Sequence, residues 1–397
     1  MRKAFRLARL EKPGATHIEL PEDVAEREIE GVPLEVRRTT YAEAGDRALD
    51  RATAIMNEAR HPILLAGNGV SRREAAGGEA AEALREFVAC SGVPATSTFM
   101  AKGVLGPDAL PPVGLQRPGV DLANLPELAD ADVVIAVGYD LVEWAPVLWN
   151  PKRDKSIVHV DSTAAELDGH YQPEVEVVGE IGESLRALAS RCRRTDPAPA
   201  QARPARTEAS DAFPLDPRRV VADLRAALGD EDIVVSDVGA HKVWLSRLYT
   251  ATRPNTVVIA NGLAAMGIAL PGAIAAKLVQ PERRVVAFCG DGGFLMNVQE
   301  LETAKRLGTA IVIVVLVDGR YGVIEMNEQR RFGRSFGVEF GNPDFVELAR
   351  SFGIAGFAVD RAANLLPTLR RALDLDGPSL VAAPVDPREN AKLGEAI

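Results

Sequence analysis

Short, nearly uninterrupted apolar runs, each followed by a helical pattern, dominate this chain. They read HPILLAG, VPATS, DVVIAVG and KSIVHVD, then DIVVSD, NTVVIA, RRVVAFCG, AIVIVVLVD, GFAV and SLVAAPV. A run without polar alternation is buried on both faces, which a strand achieves in a parallel sheet covered by helices. The pattern therefore predicts an α/β fold of two doubly wound parallel-sheet domains. Helices are expected over 42–60 and 73–90 in the first, and near Val220–Leu228, near Val243, and over 264–278, 295–307 and 343–352 in the second.

Residues 193–217, RRTDPAPAQARPARTEASDAFPLDP, carry five prolines and little to bury, the composition of an extended linker. The expected organisation is 1–40, a helix tail plus a short strand ATHIEL; 41–192, a first α/β domain; 193–217, the linker; and 218–397, a second α/β domain. A helix and one strand make no domain, so the first piece is expected to lie against one of the others.

Lys and Arg total 46 against 56 Asp and Glu, a net charge of −10. With no basic surplus, binding to nucleic acid or to anionic lipid is not expected. Cys90, Cys192 and Cys289 form no CxxC, so neither a zinc site nor a disulfide framework is indicated, and a reducing, cytoplasmic location fits. No apolar run approaches the roughly 18 residues of a membrane span.

Two strand ends look prepared for a ligand, since open parallel sheets bind beyond the carboxyl ends of their strands. In RRVVAFCGDGGF, Gly290, Gly292 and Gly293 flank Asp291; in AIVIVVLVDGRYG, Asp318 leaves the next strand ahead of Gly319 and Gly322. GDGG alone reads equally as a tight connection, and a lone aspartate as a helix cap. The two aspartates, however, are 27 residues apart, about one helix plus one strand, so neighbouring strands place both carboxylates at one rim. A hard cation that also holds a diphosphate would satisfy such a rim, and magnesium diphosphate is its natural occupant. GNGV at 67–70 reads as a tight βα turn.

The stretch from Gly290 to Gly322, GDGGFLMNVQELETAKRLGTAIVIVVLVDGRYG, resembles the cofactor motif of thiamine-diphosphate enzymes. SDVGAHKVW, NGLAAMGIALPGAIAAK, GYDLVEWAPVLWNP and PVDPRENAKL resemble acetolactate synthases, particularly the flavin-independent catabolic branch. EKPGATHIELPEDV is similar to the last strand of that family's first domain. The resemblance implies thiamine diphosphate and Mg2+ as cofactors, with FAD not expected. It implies Asp291, Asp318 and the main-chain oxygen of Arg320 as metal ligands. Gly290, Gly292, Gly293 and the amides around Tyr321 and Gly322 would hold the diphosphate, with a polar contact from His241. Met266 would bend the cofactor, and the carbonyl of Ala264 would accept from its amino group. Read without the resemblance, Met266 is helix core and His241 a loop residue.

The family has three domains, and the resemblance implies that most of the first, pyrimidine-binding one lies outside these residues. Its glutamate, which contacts the pyrimidine ring, has no counterpart here, so no catalytic residue is assigned within this chain. A fragment of a longer enzyme is favoured over a subunit that works with a separate chain. The implied reaction condenses two pyruvates to 2-acetolactate and CO2 in a homo-oligomer, dimer or tetramer. Another thiamine-dependent carboligase, a 2-oxo acid decarboxylase and a non-catalytic remnant are the competing readings. Two departures stand out: Val317-Asp318-Gly319 replaces the family's Asn-Asp-Asn, and Ile324 stands where related pyruvate decarboxylases carry an acid. An apolar residue there suits carboligation over protonation.

Overall fold

The computed structural model describes residues 1–32, 35, 42–72, 79–106, 109, 126–193 and 210–394. Its strands are β1 (Pro62–Ala66), β2 (Ala95–Ser97), β3 (Val133–Val137), β4 (Ser156–Asp161), β5 (Val175–Val178), β6 (Ile233–Ser236), β7 (Val257–Ile259), β8 (Val285–Gly290), β9 (Ile311–Val317), β10 (Ala355–Ala358) and β11 (Ser379–Pro384). They form two sheets, β2-β1-β3-β4-β5 and β10-β11-β9-β8-β6-β7. Every pairing within them is parallel. The expected α/β fold is therefore present.

The second sheet shows why its strands are apolar throughout. Val286, Phe288, Val312 and Val314 face a core built with Trp244 and Leu224, while Val285, Ala287, Ile311 and Ile313 face another built with Phe294 and Leu270. Successive side chains point to opposite faces, so both must be apolar where both are covered. In the first sheet, one face packs against the helices Glu79–Ser91 and Ile181–Ala189. Its other face meets an aromatic group of Tyr139, Trp144, Trp149 and Tyr171, with Tyr139 and Tyr171 ring centres 5.4 Å apart. The strand order reverses between β1 and β3 in the first sheet and between β6 and β8 in the second, where β11 is also inserted between β10 and β9.

Several local expectations need correction. Residues 15–20 form no strand, join neither sheet and are exposed. The N-terminal helix is Arg2–Arg9; the chain after it is tied to the first domain by Arg72–Glu11 (3.0 Å) and by Lys12 with Asp140 (3.1 Å) and Glu166 (3.3 Å). The helix expected over 264–278 is Ala269–Val279, starting five residues later, since Ala264 (φ 49°) and Gly267 (φ 88°) are left-handed. The helix expected over 295–307 is two, Asp291–Met296 and Glu300–Arg306, broken at Asn297. Strand β5 and the helices Ile181–Ala189, Gly322–Phe332 and Ala362–Leu373 have no counterpart in the expected pattern. Most of the proline-rich stretch, 194–209, lies outside the described residues, as does the start of the helix expected from Arg73.

The two sheets meet along a polar seam. Lys102 Nζ donates to the carbonyl of Ser246 (2.8 Å), Arg85 to that of Thr252 (3.2 Å) and Asn255 to that of Ser71 (2.9 Å). This seam sets segment 142–148 of the first domain over the strand ends of the second.

Candidate cofactor site

A cavity of about 740 Å³ lies at the carboxyl ends of β6, β8 and β9, beside the place where the second sheet's order reverses. Val142, Trp144 and Leu148 of the first domain form its opposite wall. Asp291 opens the helix Asp291–Met296 directly after β8, and Asp318 follows β9. Because β8 and β9 pair in parallel with Gly290 opposite Leu316, both carboxylates leave the sheet side by side.

Asp291 is 1% exposed. Its Oδ1 accepts from the Gly292 amide (2.8 Å); its Oδ2 accepts from the amides of Asp318 (3.0 Å) and Gly319 (2.7 Å) and from Asn342 Nδ2 (2.8 Å). Asp318 accepts from the Arg320 amide (3.1 Å) and from Asn390 Nδ2 (3.4 Å). Burial, and then the neighbouring Asp291, push the Asp318 carboxyl up to about 7. Two carboxylates crowded without a counter-charge are what a divalent cation relieves, so this donor set fits a hard metal. Among the described residues no cluster of three His, Cys, Asp or Glu side chains could hold a metal.

His241 lies on the cavity wall in the helix Ala240–Leu248, and burial drives its pKa down to about 4, so the ring is neutral. Its Nε2 is buried without a hydrogen-bond partner. An orphaned ring nitrogen on a cavity wall is the feature a bound polar group would satisfy. Met266 and Ala264 also line the cavity, in the turn between β7 and the helix Ala269–Val279 and not inside a helix. Tyr321 and Gly322 sit beneath the Asp318 turn. The Tyr321 amide donates to the Val338 carbonyl (2.9 Å), and its ring packs 4.7 Å from that of Phe340. The Arg320 side chain pairs with Glu325 and Glu339, away from the carboxylates. Ile324 reaches the cavity as an apolar wall.

Four further residues matter that the sequence reading did not single out. Asn342 and Asn390 brace the two aspartates, and Asn390 Oδ1 also accepts from Trp244 Nε1 (3.1 Å). Asn390 lies inside the PVDPRENAKL motif; Asn342 carried only an ordinary Asn-Pro turn signal. Asp237, in SDVGAH, is fully buried beside the glycine-rich turn. Glu143 occupies the reversal point of the first sheet, 1% exposed. Both its oxygens accept from the Asn68 amide (3.0 and 2.9 Å), and it also accepts from the Asp140 amide (3.0 Å) and the Thr98 hydroxyl. Backbone amides that could have faced an external anion there face a carboxylate of the chain itself.

Two family models match the chain: the thiamine pyrophosphate enzyme central domain over residues 49–188, and the thiamine pyrophosphate enzyme C-terminal TPP binding domain over 237–383. The acetolactate synthase of Bacillus subtilis (strain 168) is 33% identical over 412 residues, which cover 98% of this chain and 70% of that protein. The catabolic acetolactate synthase of Raoultella terrigena is 35% identical over 408 residues, 98% of this chain and 71% of the relative. The isozyme 2 large subunit of Escherichia coli (strain K12) acetolactate synthase is 31% identical over 98% of this chain. With both domains matched and the paired aspartates at adjoining strand ends, the chain belongs to the acetolactate synthase family of thiamine-diphosphate enzymes.

Proposed function

We propose that this chain carries the diphosphate half of an acetolactate-forming site: one pyruvate loses CO2 and the remaining two-carbon unit joins a second pyruvate. The observation that carries this reading is the pairing of Asp291 with Asp318 at neighbouring strand ends. Asp291, Asp318 and the carbonyl of Arg320 hold Mg2+. Gly290, Gly292, Gly293, Gly322 and the unpartnered nitrogen of His241 face the diphosphate, with Tyr321 supporting the turn through its ring. Met266 supplies an apolar support and Ala264 a carbonyl acceptor. Thiamine diphosphate, when bound, supplies the electron sink that decarboxylation of a 2-oxo acid needs. Ile324 and Val142 line that region with apolar side chains that offer no proton, which suits carbon–carbon bond formation over protonation.

Titration of the chain with thiamine diphosphate should require Mg2+, and Asp291→Ala should abolish the Mg2+-dependent binding. Tight binding without any divalent cation, or unaltered binding by the variant, would refute the metal assignment. In the complete site the product should be acetolactate; acetaldehyde instead would make the enzyme a decarboxylase.

Flavin has no place in this reading, and Glu143 supports that, since it fills the first sheet's ligand crevice with a side chain. A flavin absorption band in the purified protein would contradict it. The domain limits are 41–192 and 218–397, and the functional form is an oligomer in the cytoplasm. No helix among the described residues is long and apolar enough to cross a membrane. The ring-contacting glutamate is supplied by a pyrimidine-binding domain outside these 397 residues.

A further inference from the structure

Asp237 stands at the end of β6 with 0% exposure. Its Oδ1 accepts from its neighbour's amide, Val238 (2.7 Å), and from the Gly267 amide (2.9 Å); its Oδ2 accepts from the Ala269 amide (3.2 Å). One of these donors, Gly267, belongs to the turn that carries Ala264 and Met266, and another, Ala269, is the first residue of the helix that follows it. That turn needs an external hold, because its own side chains bury little: Leu263 and Ile268 are exposed. It also contains two left-handed residues, and Ala264, with φ 49°, lacks the freedom of glycine. The helix that follows has no cap of its own, since Ile268 makes no side-chain capping bond. Asp237 supplies from β6 the negative charge that the helix start favours.

On the other side of this carboxylate lies the glycine-rich turn. A Cβ on Gly293 would come 2.7 Å from Asp237 Oδ1, so the last glycine of GDGG leaves room for Asp237. The turn is fastened at a second point by Asn297 Nδ2, which donates to the Gly267 carbonyl (2.8 Å).

We propose that Asp237 is a positioning residue that locks the Ala264–Met266 turn against the diphosphate turn, so that Met266 is held in place before the cofactor arrives. This inference rests on the thiamine-diphosphate reading above and assigns the order of that site to one carboxylate that stands behind the cavity wall and does not line it. Its signature is selectivity. Losing Asp237 should weaken recognition of the heterocyclic part of the cofactor and spare the diphosphate part.

The test compares wild type, Asp237→Ala and Asp237→Asn by calorimetric titration with thiamine diphosphate plus Mg2+, and separately with magnesium pyrophosphate. Asp237→Ala should lose tenfold or more in affinity for thiamine diphosphate while magnesium pyrophosphate binding stays within twofold. Asp237→Asn, which keeps one acceptor oxygen, should fall between. Limited proteolysis of the cofactor-free Asp237→Asn protein should cut faster within 261–268 than in wild type. Equal loss of both ligands, or thiamine diphosphate affinity at the wild-type level in Asp237→Ala, overturns the proposal. Wild type that binds neither ligand overturns the functional reading and this inference together. Wild type that binds both, with Asp237→Ala indistinguishable from it, overturns this inference alone.

Discussion

Glu143 and Lys102 are both buried, with opposite effects on how stability responds to pH. Burial pushes the Glu143 carboxyl from 4.5 up to about 7, partly offset by the donors around it. Folding therefore takes up a proton between those values, and stability falls as pH rises through that window. Burial pushes the Lys102 ammonium from 10.5 down to about 7, where it has the Ser246 carbonyl as its hydrogen-bond acceptor. Folding there releases a proton, so stability rises with pH across the higher window. Thermal melts should show that Glu143→Gln flattens the decline between about pH 5 and 7. Lys102→Met should raise the melting temperature most below pH 7, where the native state must otherwise bury a full charge. A wild-type pH slope retained by both variants would mean other groups dominate. Asp291 and Asp318 were legible as a pair because each ends an apolar run. Glu143 and Asp237 were not, since their amide partners come from 75 and 30 residues away, at Asn68 and Gly267, and such contacts leave no local pattern.

At the level of elements, ten of the eleven strands among the described residues could be read from short apolar runs, because both faces of the central strands are covered. The exception, β5, is an edge strand of four residues whose burial alternates, so VEVV lacked that signature. The turn over 264–268 reads as helix in the sequence for a related reason: its apolar residues mimic a helical face, and Gly267 is the one breaker. Helix Gly322–Phe332 was obscured by its polar surface, with Gly322 alone fully buried. Helix Ala362–Leu373 carries Pro367 in its interior, on an exposed position. Proline removes one helical hydrogen bond and crowds the preceding turn, a penalty of up to about 3 kcal/mol in a helix interior. Pro367→Ala should therefore stabilise the protein by about 1 kcal/mol or more after the added freedom of the unfolded chain is counted, read as a higher denaturant midpoint at constant slope. A lower midpoint would show that the proline fits a bend the helix requires.

For the whole molecule, the cavity is walled by both domains, so its shape depends on the polar seam as well as on either sheet. Asn261 Nδ2 donates to the Glu143 main-chain carbonyl (2.6 Å), joining the loop after β7 to the first domain at the cavity's edge. The 397 residues by themselves should turn over pyruvate no faster than a blank, because positioning and proton transfer each supply several powers of ten in rate. Adding a pyrimidine-binding domain, fused or in trans, should restore acetolactate formation that depends on Mg2+ and thiamine diphosphate. Robust turnover by these residues alone would place the catalytic base within them.

The self-filled crevice of the first domain also bears on how the molecule melts. A domain whose own crevice is filled by Glu143 gains from an outside ligand only through the wall it lends the shared cavity, whereas the second domain, which holds the aspartates, is stabilised directly in proportion to the logarithm of free cofactor. In scanning calorimetry, raising thiamine diphosphate with Mg2+ should shift the second domain's transition upward by more than the first's. A single cooperative peak would then divide into two, with the spacing between them reporting how strongly the seam couples the domains.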